Sequence, residues 1–166
     1  MITCLIVGRQ NHGKTTLIEE LVAEFTRRGW RVATIKHSCH SHPIDSPGKD
    51  SFRHRAAGAA ACALVTRDEI AVFMPNPGQE RFRAALAPFF EGYDALLIEG
   101  NPDWAGPKLE VFRAGLGTSP MCLERRDITA VVSDDPLEVP VPVWPRSDLA
   151  GLAERLLALA TGRGAP

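Results

Sequence analysis

Residues Gly8 to Thr15 read Gly-Arg-Gln-Asn-His-Gly-Lys-Thr, the spacing of a phosphate-binding P-loop. The residue types answer the demands of a bound triphosphate. Gly8 and Gly13 let the backbone turn tightly and approach an anion with no Cβ in the way. The loop amides, through Asn11 and His12, then point at the phosphates. Lys14 reaches the β- and γ-phosphates, and the Thr15 hydroxyl, with Thr16 beside it, is placed to hold Mg²⁺. A helix starting here adds the positive end of its dipole.

Such a loop needs a carboxylate that holds Mg²⁺ directly or through water, at the C-terminal end of a neighbouring buried strand. The run Asp94-Ala95-Leu96-Leu97-Ile98-Glu99-Gly100 supplies one. Glu99 is assigned to the metal and the catalytic water, and Asp94, at the far end, to strand entry. A second acid, Asp45, lies in the polar stretch from Ser38 to Lys49 and is a further candidate for Mg²⁺ or water positioning, with Lys49 adding charge for phosphate. His37, His40 and His42 with Asp45 also resemble a zinc or nickel ligand set. A switch-like loop beside the γ-phosphate is the preferred reading, because no second cluster completes the metal set. The Asn-Lys-x-Asp guanine signature is absent. Asp134 or Asp135, in Val132-Ser133-Asp134-Asp135, can accept the guanine N1 and N2 hydrogens, or the pair is an Asp-Asp-Pro turn; both readings stand. No obvious arginine finger sits in the P-loop or beside Glu99 to neutralise transition-state charge.

The surrounding pattern supplies the elements that must position these groups. Ile2 to Val7 reads as a strand; Leu17, Leu21, Val22 and Phe25 recur at helical spacing up to a Gly29 cap. Arg31–Lys36, Lys108–Arg113 and Ile128–Ser133 read as further strands, Asp50 to Gly58 as a short helix and Gln79 to Glu91 as amphipathic. Ala61–Thr66 and Ile70–Met74, joined by a tight charged turn, read as a hairpin. Ser147 opens a last helix carrying Leu149, Leu152, Leu156 and Leu159. The expected fold is α/β: a single P-loop nucleotide-binding domain over 1–166, three-layered, with a mostly parallel, mixed sheet and a β-hairpin extension.

Composition narrows the class. The 166 residues are 45% hydrophobic and 23% charged, with formal net charge −1, which gives no footing for a nucleic-acid or anionic-membrane surface. No apolar run approaches the ~20 residues of a membrane span. The four cysteines form no Cys-x-x-Cys pair. Cys4 and Cys62 read as buried free thiols, which fits a cytoplasmic protein.

Several segments together resemble one family. Gly8 to Leu17 is followed by Ile35-Lys36-His37, His40, Asp45, Pro47 to Ser51 (Pro-Gly-Lys-Asp-Ser), Arg53 and Ala57 to Ala59. Later come Leu97 to Gly100 and Pro107 to Arg113 (Pro-Lys-Leu-Glu-Val-Phe-Arg). The chain is similar over most of its length to MobB, the molybdopterin-guanine dinucleotide biosynthesis adaptor family. The resemblance implies a dimeric protein related to signal-recognition GTPases and nitrogenase iron proteins. It implies binding of GTP with Mg²⁺, weak hydrolysis, and assistance to the molybdopterin guanylyltransferase that joins GMP to molybdopterin, with molybdopterin itself left open as a ligand. On this reading the protein is at most a slow GTPase. Two rivals share the P-loop: a metallochaperone GTPase for nickel insertion, favoured by the histidines but lacking a Cys-x-x-Cys metal motif, and a small-molecule kinase, for which Arg53 and Arg55 make a poor lid.

Overall fold

The computed structural model describes residues 1–38, 40 and 44–160. Its elements are β1 (Ile2–Val7), α1 (Lys14–Arg27), β2 (Val32–Lys36), α2 (Asp50–Ala56), β3 (Cys62–Val65), β4 (Ile70–Phe73), α3 (Gln79–Leu86), β5 (Ala95–Glu99), β6 (Lys108–Val111), β7 (Ala130–Val132), β8 (Val143–Trp144) and α4 (Leu149–Ala160). The chain divides into two compact units, residues 1–38 with 90–166, and residues 39–89.

The first unit is built on a six-stranded sheet in the order β2-β5-β1-β6-β7-β8, parallel at every pairing. Strands buried on both faces read as continuous apolar runs, which is why β1 and β5 are legible in the sequence. One face packs α1 and α4. Leu17, Ile18, Leu21 and Phe25 of α1 and Leu152, Ala153 and Leu156 of α4 meet Cys4, Ile6, Leu97, Leu109 and Val132 in one core. At the end of α1, Gly29 takes a left-handed φ of 82° and the Trp30 amide turns back to the Phe25 carbonyl at 3.1 Å, so Trp30 stacks on the Phe25 ring, centroids 5.1 Å apart.

Among the described residues the other face carries no α-helix of this unit. Alternation along β6 sends Leu109 and Val111 to the helical core and Lys108 and Glu110 the opposite way. Both of these charged residues are buried. Lys108 Nζ pairs with Asp127 Oδ2 at 2.9 Å, and Glu110 accepts the amides of Met121 (2.5 Å) and Cys122 (2.8 Å). A buried charge must be matched, and here the matching clamps the irregular segment 112–129 to the sheet.

In the second unit, β3 and β4 form the expected hairpin, pairing Cys62 with Phe73 through Val65 with Ile70. It stands as its own two-stranded sheet, so the antiparallel pairing lies outside the central sheet. Leu64, Val65, Ile70, Val72 and Met74 are exposed. Cys4 is buried as expected; Cys62 is half-exposed, because neither face of this small sheet is fully covered. Two details differ further. The short β8 has no sequence signature. The cap of α4 is Asp148, whose Oδ1 accepts the Gly151 amide at 2.9 Å, while Ser147 turns to Asp134. Among the described residues no helix is long and apolar enough to cross a membrane.

Phe25 is fully buried. Truncation to alanine removes its ring from both the helical core and the Trp30 stack, so Phe25→Ala should cost about 3–5 kcal/mol in a urea titration. A loss under about 1 kcal/mol would show that α1 is not held by this contact.

Candidate functional site

The P-loop leaves β1 where the strand is flanked on both sides. Gly8 adopts φ 138°, and a Cβ there would stand 2.6 Å from the Val111 carbonyl oxygen of β6, so only glycine lets the loop pass. Gly13 closes the loop at φ 94° and caps α1, its carbonyl accepting the Leu17 amide at 3.0 Å. Lys14 Nζ arches back to donate to the Arg9 carbonyl at 2.7 Å. Burial holds the Lys14 ammonium below its ordinary pKa; Glu99 pulls it up and Lys36 pushes it down further.

The parallel register sets Glu99 opposite Ile6 of β1 and Lys36 of β2. Glu99 Oε1 accepts from Thr15 Oγ1 at 3.0 Å and from Lys36 Nζ at 2.8 Å; Lys36 Nζ is also 3.5 Å from Thr15 Oγ1. A hydroxyl and a carboxylate side by side at the start of a P-loop helix are hard oxygen donors, the set that Mg²⁺ takes. A cavity of about 430 Å³ opens here, lined by Asn11, Gly13, Lys14, Thr15, Thr16, Lys36, Glu99 and Arg113, with Gln10 at its rim. Three cations face one carboxylate, so the cavity suits a polyanion.

His12 sits underneath rather than in the cavity. Its ring is buried and packs against Phe112, centroids 5.2 Å apart. Nδ1 accepts the Arg113 amide at 3.0 Å, and Nε2 lies 3.0 Å from Thr118 Oγ1. An accepting Nδ1 requires the neutral ring with the proton on Nε2. The imidazole pKa is lowered accordingly, first by burial, then by Lys14, against an upward pull from Glu110, with Arg113 and Arg9 lowering it further. Arg9 ties the same segment from outside, to the Ser119 carbonyl (3.2 Å) and Glu124 (3.0 Å).

The remaining expected residues stand apart from this cavity's lining. Asp134 Oδ1 accepts both the amide and the hydroxyl of Ser147 at 2.9 Å, which lowers its pKa. Asp135 Oδ2 accepts the Ala114 amide at 2.7 Å, and its own amide donates to Ser133 Oγ at 3.1 Å. Both lie just past β7, at the same end of the sheet as the P-loop. Asp45 and Lys49 belong to the second unit. There the buried Asp45 carboxylate accepts from Ser51 Oγ (3.0 Å) and pairs with Arg55 (3.4 Å), and Lys49 precedes α2. The Asp45 carboxylate and Arg55 border a cavity of about 720 Å³ against β4. His42 and Cys39 lie outside the described residues; among the described ones no group of three or more His, Cys, Asp and Glu side chains is placed to hold a metal ion.

Sequence reasoning misses two cations of the site. Lys36 and Arg113 both reach the cavity, although neither lies in the P-loop or next to Glu99 in the chain. The only signal for either was membership in the Ile35-Lys36-His37 and Pro107–Arg113 runs.

Residues 3–134 match the family model described as MobB, Molybdopterin guanine dinucleotide synthesis protein B. The Molybdopterin-guanine dinucleotide biosynthesis adapter protein of Escherichia coli (strain K12) is 35% identical over 147 residues, 86% of this chain and 83% of the relative. The protein of the same name from Haemophilus influenzae is 33% identical over 135 residues, 81% and 75% of the two chains. The solved structure of a MobB protein homolog from Bacillus stearothermophilus is similar with a TM-score of 0.66 and 27% identity, covering 98% of this chain and 100% of that one.

The His12 geometry carries a pH dependence. The folded imidazole binds its proton less tightly than the ordinary 6.5. Below that pH the unfolded chain binds more protons, so stability rises with pH in that range. The contribution is whole above about pH 6.5 and is lost as pH falls through the lower folded value. Thermal unfolding between about pH 7.5 and 5.5 should therefore destabilise the wild type more than His12→Asn, which keeps an acceptor for the Arg113 amide and does not titrate. Equal losses in the two proteins would show that the ring does not carry this dependence.

Proposed function

The chain belongs to the MobB family, and on that premise we propose that it is a GTP-binding adaptor assisting the attachment of GMP to molybdopterin in the formation of molybdopterin guanine dinucleotide. The relatives' shared description as biosynthesis adapter proteins supports the adaptor part. The nucleotide part rests on one observation: Lys14, Thr15 and Glu99 border a single cationic cavity at the mouth of the P-loop, with the Thr15 and Glu99 oxygens 3.0 Å apart. Thr15 and Glu99 would hold Mg²⁺ between the protein and the terminal phosphates, and Lys14 would neutralise the β- and γ-oxygens. Mg²⁺, when bound, would supply neutralising charge for the phosphates.

Hydrolysis by the protein alone is slow in this reading. Glu99 is the carboxylate of the cavity lining, and it is engaged by Thr15 and Lys36, which leaves it poorly placed to accept a proton from water. Guanine selection falls to the turn after β7. Asp134 is spent on Ser147, whereas Asp135 Oδ1 has no donor among the described residues, so Asp135 is the better base reader. The exposed apolar hairpin of the second unit is a pairing surface for a second copy, as an uncovered edge is a liability for a monomer. The partner protein is the molybdopterin guanylyltransferase, and the compartment is the cytoplasm.

Lys14→Ala should abolish triphosphate binding by calorimetry, since the ammonium is the principal point charge on the β- and γ-phosphates. Comparable affinity in mutant and wild type would falsify the nucleotide reading. GTP should bind more tightly than ATP by roughly 1–3 kcal/mol, and Asp135→Ala should narrow that gap while Asp134→Ala does not. Retention from native lysate, with GTP and Mg²⁺ present, should recover the guanylyltransferase; its absence would count against the adaptor role. Light scattering at micromolar concentration should give a dimer mass, and a monomer mass would rule out the hairpin interface.

A further inference from the structure

The Arg113 guanidinium lies against Gly13: a Cβ on that glycine would stand 2.8 Å from Nη2, 3.2 Å from Cζ and 3.4 Å from Nε. Arg113 thus borders the P-loop cavity from β6, on the opposite side of β1 from Lys36 and Glu99, which arrive on β2 and β5. Five other arginines of this unit are committed to protein acceptors: Arg9 to Ser119 and Glu124, Arg28 to Glu24, Arg31 to Gly92, Arg125 to Asp103 and Asp127, Arg146 to Glu20. The exposed Arg126 does not line the cavity. The Arg113 guanidinium has no hydrogen-bond or ion-pair acceptor among the described residues, and its side chain is exposed to the cavity mouth.

Its backbone, by contrast, is fixed. The Arg113 amide donates to His12 Nδ1, and the next amide, of Ala114, donates to Asp135 Oδ2. The arginine is therefore held between the P-loop and the turn after β7 by bonds that leave its planar fork unused. An unpaired guanidinium on a fixed backbone, lining the same cavity as Lys14 and Lys36, suits an anion with paired oxygens.

We infer that Arg113 is a phosphate-contacting residue of this site, gripping the α- and β-phosphates of the bound nucleotide from the β6 side, away from the Thr15–Glu99 metal pair. The inference rests on the nucleotide reading above. It assigns the phosphate chain two cationic walls: Lys36 and the metal pair at the terminal end, Arg113 at the nucleoside end. Contact with the α- and β-phosphates is common to diphosphate and triphosphate and does not pass through the metal.

The test is calorimetric titration of GDP and GTP into wild type, Arg113→Ala, Arg113→Gln and Arg113→Lys, each in Mg²⁺ and in EDTA, with thermal unfolding of each variant. A charge-assisted hydrogen bond lost from both nucleotides should weaken GDP and GTP by the same factor, on the order of ten- to a hundredfold, with and without Mg²⁺. Arg113→Lys, which keeps the charge and loses the fork, should fall between Arg113→Gln and wild type. Should Arg113→Ala unfold early, Arg113→Gln and Arg113→Lys carry the comparison. Unchanged GDP affinity in Arg113→Gln overturns the inference, and so does a loss confined to GTP, which would move the contact to the γ-phosphate. A wild type that binds neither nucleotide, or binds them independently of Lys14, overturns the underlying nucleotide reading instead.

Discussion

Glu99 is a carboxylate at the end of a fully buried strand, and such a group is costly unless donors or a cation reach it. It has two, Thr15 Oγ1 and Lys36 Nζ. Those donors come from different elements, the first turn of α1 and the end of β2. Satisfying one acid therefore fixes two strand ends and the start of α1 against one another. The parallel pairing of β2, β5 and β1 makes this geometrically available, because parallel strands bring their C-terminal ends to one edge. The same edge receives the P-loop, so the compensation of Glu99 and the assembly of the cationic cavity are one event.

The β6 side repeats this logic with different chemistry. Here the sheet face has no α-helix of its own unit among the described residues, and segment 112–129 lies against it. Lys108 and Glu110 supply the fastening, one through an ion pair and the other through two backbone amides. Lys108 and Glu110 are themselves buried, so removing their partners leaves an uncompensated buried charge, and both positions constrain the segment. His12 adds a neutral staple from the P-loop, and Asp135 adds another from the turn after β7. Arg113 sits where these fastenings converge. The backbone around it is rigid while its guanidinium remains uncommitted, the arrangement that preorganised binding groups require.

The second unit follows a looser plan. Its hairpin exposes Leu64, Val65, Ile70, Val72 and Met74, and its buried carboxylate Asp45 is satisfied within the unit by Ser51 and Arg55. A small two-stranded sheet is marginal by itself, so an apolar surface of this kind is consistent with association.

Local chemistry in the sequence determined the P-loop, the helix it caps, the buried strands on both sides and the identity of Glu99 as their terminal acid. Each of these is a short-range pattern: glycines where φ must be positive, an apolar run, a helical period ending at Gly29. The hairpin and the last helix were legible for the same reason. Tertiary structure decided what depends on register between distant segments. Lys36 meets Glu99 across 63 positions, and His12 meets the Arg113 amide across 101; no local period encodes either pairing. The separation of the hairpin from the main sheet, the half-exposure of Cys62 and the capture of Ser147 by Asp134 were likewise set by which surfaces met. A residue's type states what bonds it can make, and only the packed chain states which of its possible partners comes within 3 Å.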